Sequence, residues 1–553
     1  MTEITTYWHT LRHLRLQQIY GRLLFRLSRP SVDAAPPPPV RVSLGRRFVV
    51  PARRHATLIG PQTFRFLNVA RDLDGDQWDD PELPKLWRYN LHYFDDLNAE
   101  GSEERRDWHS ALLQKWVRDN PPGRGTGWEP YPTSLRIVNW VKWALSGNTL
   151  PPDCVASLAV QTRWLSARIE RHLLGNHLFS NAKALFFAGL YFDGPEAKGW
   201  LDAGFEILKQ QVPEQILADG GHFERSPMYH ALALEDLADI HNVASTWPDA
   251  VPAQMRAALE SWAALIAPMH RWLRAMSHPD GEIAFFNDAA FGIAPTPVEL
   301  EKYTARLGLV QPAQVSNGLT QLSASGYIRV ESPESVAIID VAPIGPDYLP
   351  AHAHADTLSF ELSVFGQRVL VNSGTSEYGS GPERLRQRGT RAHNTIVVDG
   401  HDSSKVWGGF RVAQRARPIG LEVFQGELTQ VRCGHDGYRR LPGRVTHTRR
   451  WQFGVGALDI DDDVTGSFKS AEALFHLHPS IKVSGSEFGS ATNTLTLFLP
   501  GDRTVAVLVS GGILSVMEST WHPEFGASVP SLCVAVSFTG ASVHTRFSWD
   551  VAA

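Results

Sequence analysis

The chain has 553 residues, more than one ordinary core holds, so two large domains are expected. Hydrophobic residues make up 43% and charged residues 20%, the proportions of a soluble globular protein, and a net charge of −5 excludes the global basic field of a nucleic-acid binder. Cys154, Cys433 and Cys533 are scattered and odd in number, which excludes both a CxxC metal knuckle and a disulfide framework.

The first segment, "MTEITTYWHTLRHLRLQQIYGRLLFRLSRP", lacks the uninterrupted apolar core and small-residue cleavage site of a signal peptide. No run of transmembrane length follows, so the reading is cytoplasmic, although polymeric glycans are mostly outside cells. Leu14, Leu16, Ile19, Leu23 and Leu24 alternate with Arg12, Arg15, Arg22 and Arg26, which predicts a basic amphipathic helix. Such a helix either docks on its own domain or touches a membrane surface. "RPSVDAAPPPPVRV", Arg29 to Val42, predicts an extended proline-rich linker, and "RRFVVPARRHATLIG" a short strand-like piece. Residues 1–80 are expected to pack on the domain that follows.

Residues 81–312 read as helix after helix with short loops. "SLRIVNWVKWALSG" has helical apolar spacing and ends at Gly147; "PPDCVASLAVQTRWLSARIERHLLG" opens on prolines and runs to Gly175. "NHLFSNAKALFFAGLYF", "AKGWLDAGFEILKQQV", "YHALALEDLADIHNVAS" and "PAQMRAALESWAALIAPMHRWL" continue the pattern, which predicts stacked helical hairpins closing into a bundle or toroid. Near residue 315 the apolar period changes from 3.6 to 2. Runs such as "SGYIRVESPESVAIIDVAP", "RVTHTRRWQFG" and "RTVAVLVSGG", bounded by glycine and proline, predict an antiparallel β-sandwich over 313–553.

"PAHAHADTLSFELSVFGQRVLVNSG" carries the densest chemistry. In an extended segment His352, His354 and Asp356 share one face, just ahead of a strand burying Leu358, Phe360 and Leu362. A solvated strand end is the plain reading. A cupin metal site also uses HxH, but Glu361 comes too late after the second histidine. A third reading takes partners from elsewhere: Arg391, His393 and Asn394 in "RGTRAHNTIVVDG", Asn176 and His177 in "LGNHLFSNAKAL", and His222, Glu224, Tyr229 and His230 in "GGHFERSPMYHALAL".

Those stretches, with "DGEIAFFNDAAFG", together resemble the heparinase II/III-like polysaccharide lyases. "LWRYNLHYFDDL" and "GWEPYPTSLRIVNW" resemble the branch that accompanies bacterial exopolysaccharide or capsule production. The resemblance covers most of the chain. It implies an (α/α) toroid followed by an antiparallel β-sandwich, and β-elimination at a uronic acid of an acidic polysaccharide. That reaction needs the substrate carboxylate neutralised, a base for the C5 proton and an acid for the C4 leaving oxygen. Matched onto the family, Asn176 is the carboxylate neutraliser, with His177 sharing that role or acting as base. Tyr229 is the phenolic acid, in some geometries also the base, and His352 is the base or orienter from the second domain.

By the same resemblance His354 and His393 correspond to two ligands of a structural zinc, with Asn372 in "VNSGT" where an aspartate is usual and Asp356 as a possible compensating ligand. The chemistry itself requires no cofactor. A polyanion also calls for local positive charge, and "ERLRQRGTR" offers Arg384, Arg386, Arg388 and Arg391. Glu224 is a further candidate at the substrate, and Trp128 and Trp407 are loop-like candidates for stacking on sugars, against core packing as the plain reading. Asn176 as a helix cap and Tyr229 as a core ring are the corresponding plain readings. Two rival functions stand beside the lyase: a glycoside hydrolase drafting Glu129, Glu224 or Asp288, and a non-catalytic glycan-binding scaffold.

Overall fold

A computed structural model describes residues 3–42, 47–73, 75, 77–309, 318–483 and 493–550. The basic amphipathic segment forms two helices, α1 (Glu3–Leu11) and α2 (Leu16–Leu27), rather than one. The proline-rich stretch is extended but held: Arg41 donates from its backbone to Tyr191 and from its side chain to Leu190 and Phe192. The strand expected near residue 50 falls later, as the hairpin β1 (Thr63–Phe66) and β2 (Val69–Asp72), which packs with helix α3 (Lys85–Tyr93).

The helical domain continues through α4 (Arg106–Asp119), α5 (Pro130–Leu145), α6 (Pro152–Ala167), α7 (Gly175–Tyr191), α8 (Pro195–Gln215), α9 (Pro227–Thr246), α10 (Ala253–Ala275) and α11 (Pro297–Arg306). Five of these start on a proline at their first or second position, where the missing N–H costs nothing: α5, α6, α8, α9 and α11. Helix α6 stops at Ala167, not Gly175; Gly175 instead opens α7. Helix α7 is buried on nearly every side and is the hub, packed against α5, α6, α8 and α9. Its Gly189 lets α8 approach closely, since a Cβ there would lie 2.5 Å from the Leu201 nitrogen. Inside this domain Lys183 donates to Asp236 and Asp239, Lys142 pairs with Asp239, and Arg54 with Glu235, a buried cluster of balanced charge.

The expected boundary at 312/313 lies outside the described residues. Beyond it come β3 (Gly318–Leu322), β4 (Tyr327–Glu331), β5 (Ser335–Asp340), β6 (Phe360–Val364), β7 (Gln367–Leu370), α12 (Pro382–Arg388), β8 (Ile396–Val398), β9 (Val406–Trp407), β10 (Arg411–Val412), β11 (Pro418–Gln425) and β12 (Thr429–His435). The chain ends with β13 (Thr446–Gly454), β14 (Ala457–Thr465), β15 (Ala471–His476), β16 (Lys482–Val483), β17 (Thr494–Leu499), β18 (Arg503–Ser510), β19 (Ile513–Trp521), β20 (Val529–Phe538) and β21 (Ser542–Ser548). All pairings of these strands are antiparallel. The sheets run β11-β12-β13-β14-β21-β18-β17-β16, β19-β20-β15-β8 and β3-β4-β5-β6-β7.

The outer sheet alternates buried and exposed residues, as in β18, so one face is wet. The five-stranded sheet is buried on both faces. Ala337 and Ile339 of β5 join the sandwich core, whereas Val336 and Ile338 meet Trp272, Met276 and Phe286 of the helical domain. Period-two alternation on one strand thus serves two cores and fixes the domains face to face.

Candidate active site

The HxHxD stretch is a loop, not a strand. It runs from Pro350 into β6, turning at Leu358 with φ +66. Arg449, itself paired to the buried Asp462, donates to the carbonyls of Leu358 and Asn394 and so anchors both histidine-bearing loops.

The loop closes onto Asp288, in the segment between α10 and α11. His352 Nδ1 lies 2.8 Å from Asp288 Oδ2, and His354 Nε2 2.8 Å from Oδ1. Arg384 of α12 forks onto both carboxylate oxygens, one bond being 2.7 Å. Burial opposes the charge on Asp288, but Arg384 and the two imidazoles hold its carboxyl well below the usual carboxylate range. An ionised carboxylate only accepts, so both histidines donate to it. A neutral His352 ring in this place carries its proton on Nδ1 and has its lone pair on Nε2; a neutral His354 has its lone pair on Nδ1. Backbone bonds lock the arrangement: Asp288 N–H donates to the His352 carbonyl, and His354 N–H to the Asn287 side chain.

Ser226 caps α9, accepting from the Tyr229 N–H and donating to the Asp288 carbonyl. That cap sets Tyr229 against His352, ring centroids 4.0 Å apart. The Tyr229 hydroxyl meets the Tyr378 hydroxyl at 2.9 Å. Burial, with Tyr378 and Asp288 adding to it, pushes the Tyr229 phenol well above its ordinary value, so it is a proton donor at neutral pH.

On the opposite side, the start of α7 presents Asn176 and His177. Asn176 Nδ2 donates to the Tyr131 hydroxyl at 3.0 Å, and Tyr131 stacks on His177 at 4.5 Å. His177 Nδ1 bonds Glu170 at 3.0 Å, with its side chain 38% exposed. Burial lowers its pKa, but the charge and hydrogen bond of Glu170, helped by Glu224 and Glu129, raise it further, and the net shift is upward. Glu224 stands behind these groups, 3% exposed, with Oε2 unpartnered. Burial raises its carboxyl, opposed by His352 and His177. Gly175 makes room for it: at φ +51, a Cβ would come within 2.4 Å of Leu349 and 3.3 Å of Glu224.

Residues 85–299 match the model of the heparinase II/III N-terminus, and residues 315–550 the model of the heparinase II/III-like C-terminal domain. The chain belongs to the heparinase II/III family. A relative from Caulobacter vibrioides, FtsZ-localized protein C, is 25% identical over 85% of this chain and 82% of its own length. Heparin-sulfate lyase of Pedobacter heparinus is 23% identical over 61% of this chain, which covers 55% of that protein. Among solved structures, heparinase III superposes with a TM-score of 0.65 at 18% identity, over 84% of this chain and 76% of that one. Heparan sulfate lyase HepC of Pedobacter heparinus gives 0.56 at 17% identity, over 97% of this chain and 88% of that one. The toroid-plus-sandwich architecture is the one these structures share.

Within this heparinase II/III frame the structure brings Asn176, His177, Glu224, Tyr229 and His352 close together where the domains meet, Glu224 within electrostatic reach of both histidines and Tyr229 of Tyr131. It does not bring the expected sugar and polyanion binders there. Trp128 is 3% exposed, packed on Trp116 and Trp164. Trp407 lies under α1, its N–H on Thr10 and its ring on Tyr7. Arg384 is spent on Asp288, and buried Arg388 donates to the carbonyls of Ala353, Gly408 and Arg411. Arg386 pairs with Glu383, and Arg391 with Glu472 of β15. The arginine run builds the loop that holds Asp288; it does not face substrate.

The residues missed are Tyr131, Tyr378, Glu170 and the structural role of Asp288. Asp288 stands in a quoted motif, "FFNDAAFG", but nothing local in the sequence links it to two histidines and an arginine about 65 to 95 positions away. Glu361, the residue weighed against the cupin pattern, bonds His278 and the Asn372 N–H at the domain interface.

Of the residues matched to a metal, His354 Nδ1 and both ring nitrogens of His393 have no hydrogen-bond partner, and the rings lie 5.2 Å apart. Asn372 donates to the Phe285 carbonyl and turns its oxygen to the Asn394 N–H. Asp356 instead accepts from the Asn287 N–H and is no part of this set. Two buried imidazoles with free lone pairs suit a zinc ion, but the Asn372 oxygen would have to give up its bond from the Asn394 N–H to join them. Among the described residues no cluster of three His, Cys, Asp or Glu side chains is arranged to hold a metal.

Proposed function

We propose that Asn176, His177, Glu224, Tyr229 and His352 form the active site of a polysaccharide lyase acting by β-elimination on a uronic-acid-containing acidic polysaccharide. The observation that carries this is the pairing of Tyr229 and His352 across the domain boundary, one a protonated phenol and the other an imidazole whose Nδ1 is held by Asp288. The substrate carboxylate docks on Asn176 and His177, whose amide and raised imidazolium draw off charge as the carbanion develops. Burial raises the Glu224 carboxyl, which weakens its repulsion of the substrate carboxylate beside it. His352 Nε2 takes the C5 proton. The electron pair of that C–H bond becomes the C4–C5 double bond, the C4–O bond breaks, and Tyr229 protonates the leaving oxygen, to be reprotonated through Tyr378.

A glycoside hydrolase needs two free carboxyl groups facing each other. Asp288 has every oxygen engaged, and Glu129 accepts from Tyr89 and Lys85. The test is a panel of uronate-containing polymers. Elimination yields ultraviolet absorbance from the double bond conjugated to the carboxylate; new reducing ends without that absorbance mean hydrolysis, and binding without turnover means a glycan-binding scaffold.

A zinc ion on His354, His393 and Asn372 would be structural, since His352 and not this set faces the substrate. Its loss should lower thermal stability before activity, and Asn372→Asp should tighten binding. Elemental analysis of protein purified without chelator decides; no stoichiometric metal, with an unchanged melting temperature in chelator, leaves only a polar cluster.

A further inference from the structure

Helices α1 and α2 are mounted with their amphipathicity inverted. They attach through polar or small groups: Thr6 and Thr10 bond Lys405 and Trp407, Gln18 bonds the Tyr348 carbonyl, and Gly21 abuts His172. Phe25, between His172 and Arg168, is the one large apolar side chain of α2 turned inward. The remaining apolar residues face solvent: Ile4 is 79% exposed, Trp8 65%, Leu16 78% and Leu27 70%, with Leu11 and Leu23 between them. A soluble protein leaves so large a contiguous apolar surface bare only where something docks.

We propose that α1 and α2 form a docking surface for an anionic lipid bilayer. Charge complementarity selects that occupant. Residues 3–30 hold five arginines and one glutamate in a chain whose overall charge is −5. Arg15 is engaged by Glu214 and Tyr348, but Arg22 and Arg26, exposed beside the leucines, have no carboxylate partner among the described residues. Leucines flanked by arginines, with Trp8, Tyr7 and Tyr20 exposed among them, suit the headgroup–acyl boundary. The helices lie on the surface and do not span: no helix among the described residues is long and apolar enough to cross a membrane. The segment also precedes the matched family domains, which start at residue 85.

The attachment gives the docking a direction. Helix α1 sits on the β9–β10 hairpin, whose Phe410 borders His352, and α2 sits beside Tyr348 and His172, close to the start of α7. Docking therefore brings the site near the bilayer.

The test is co-sedimentation of the full chain with vesicles of phosphatidylcholine alone or with a minority of phosphatidylglycerol. The expected result is binding to the anionic vesicles, weakened by salt, with little binding to the neutral ones. Leu16→Ser/Leu23→Ser/Leu27→Ser, all outward and outside the packing contacts, should weaken binding by about tenfold or more. Arg22→Gln/Arg26→Gln should weaken it by roughly fivefold per arginine. Three outcomes overturn the proposal: no binding to either vesicle, binding that the leucine variant leaves intact, or lipid-free self-association that the leucine variant abolishes. The last would assign the patch to a second copy of the chain.

Discussion

The two walls of the site are built on opposite principles. On one side, Asp288 of the helical domain spends both oxygens on His352, His354 and Arg384 of the sandwich domain, with only His352 partly exposed. On the toroid side, Asn176, His177 and Tyr131 are half-buried and lightly partnered, Asn176 by Tyr131 and, at 3.4 Å, Ser180, and His177 by Glu170, with donor capacity to spare. A saturated wall fixes where a proton-transfer group sits; an unsaturated wall leaves hydrogen bonds for a substrate to complete. The same residue types do different work because one wall has used up its valences and the other has not.

That contrast is broken hardest at Asp288. Asp288→Asn replaces a double acceptor by an acceptor and a donor, so Arg384 is left as a buried charge without its counterion. Such a loss costs about 3–5 kcal/mol. The unfolding midpoint should fall steeply and turnover with it, because His352 no longer has its Nδ1 proton held. Denaturant unfolding beside product absorbance measures both. A variant with wild-type stability would show that the saturated wall is not held by this carboxylate.

Much of the architecture was legible and much of the wall was not, for a physical reason. Helix after helix and then period-two runs follow from burial on one face at a time, which is local. Asn176, Tyr229 and His352 stand in motifs with a family resemblance, which is why the sequence singles them out. The arginines of "ERLRQRGTR" were misread as substrate-facing because a basic run looks solvated until its partners are known, and Asp288 lies far off in the chain. Trp128 and Trp407 failed similarly: loop spacing does not reveal a neighbouring helix. Inverted helices also escape periodicity, which gives the apolar face but not which face is turned to the protein.

Tyr229→Phe probes the proton donor with the walls intact. The hydroxyl bonds only Tyr378, so the fold should keep its melting temperature while kcat falls by roughly a hundredfold or more. Near-normal turnover would remove Tyr229 from the reaction.

Asn176→Ala sharpens the comparison from the toroid side. With the bond to Tyr131 and the long 3.4 Å bond from Ser180 lost, stability should change little, whereas kcat should fall by about a hundredfold with KM little altered, because the amide is needed most as charge develops on the substrate carboxylate. A rise in KM at constant kcat would make Asn176 a plain binding group.

The smallest effect should come from Glu170→Gln, and it carries the most information on charge. Burial alone would lower the His177 pKa; Glu170 turns the net shift upward, above the ordinary 6.5. A raised folded-state pKa contributes stability fully present below the unfolded value near 6.5 and lost as pH rises through the folded value. The same limits apply to the positive charge His177 offers the substrate. The wild type should therefore hold activity beyond pH 6.5 and lose part of it on the alkaline side as His177 gives up its proton. Glutamine keeps the shape and a hydrogen bond but removes the charge, so the alkaline limb of kcat/KM should move to lower pH. Because the His177 side chain is 38% exposed, solvent screens the pair, and a partly exposed ion pair is worth ~0.2–1 kcal/mol, up to about fivefold in kcat/KM at neutral pH. Added salt should narrow the gap between the two proteins. If the limb stays where it was, His177 does not supply the charge that neutralises the carboxylate, and Asn176 alone is left for that work.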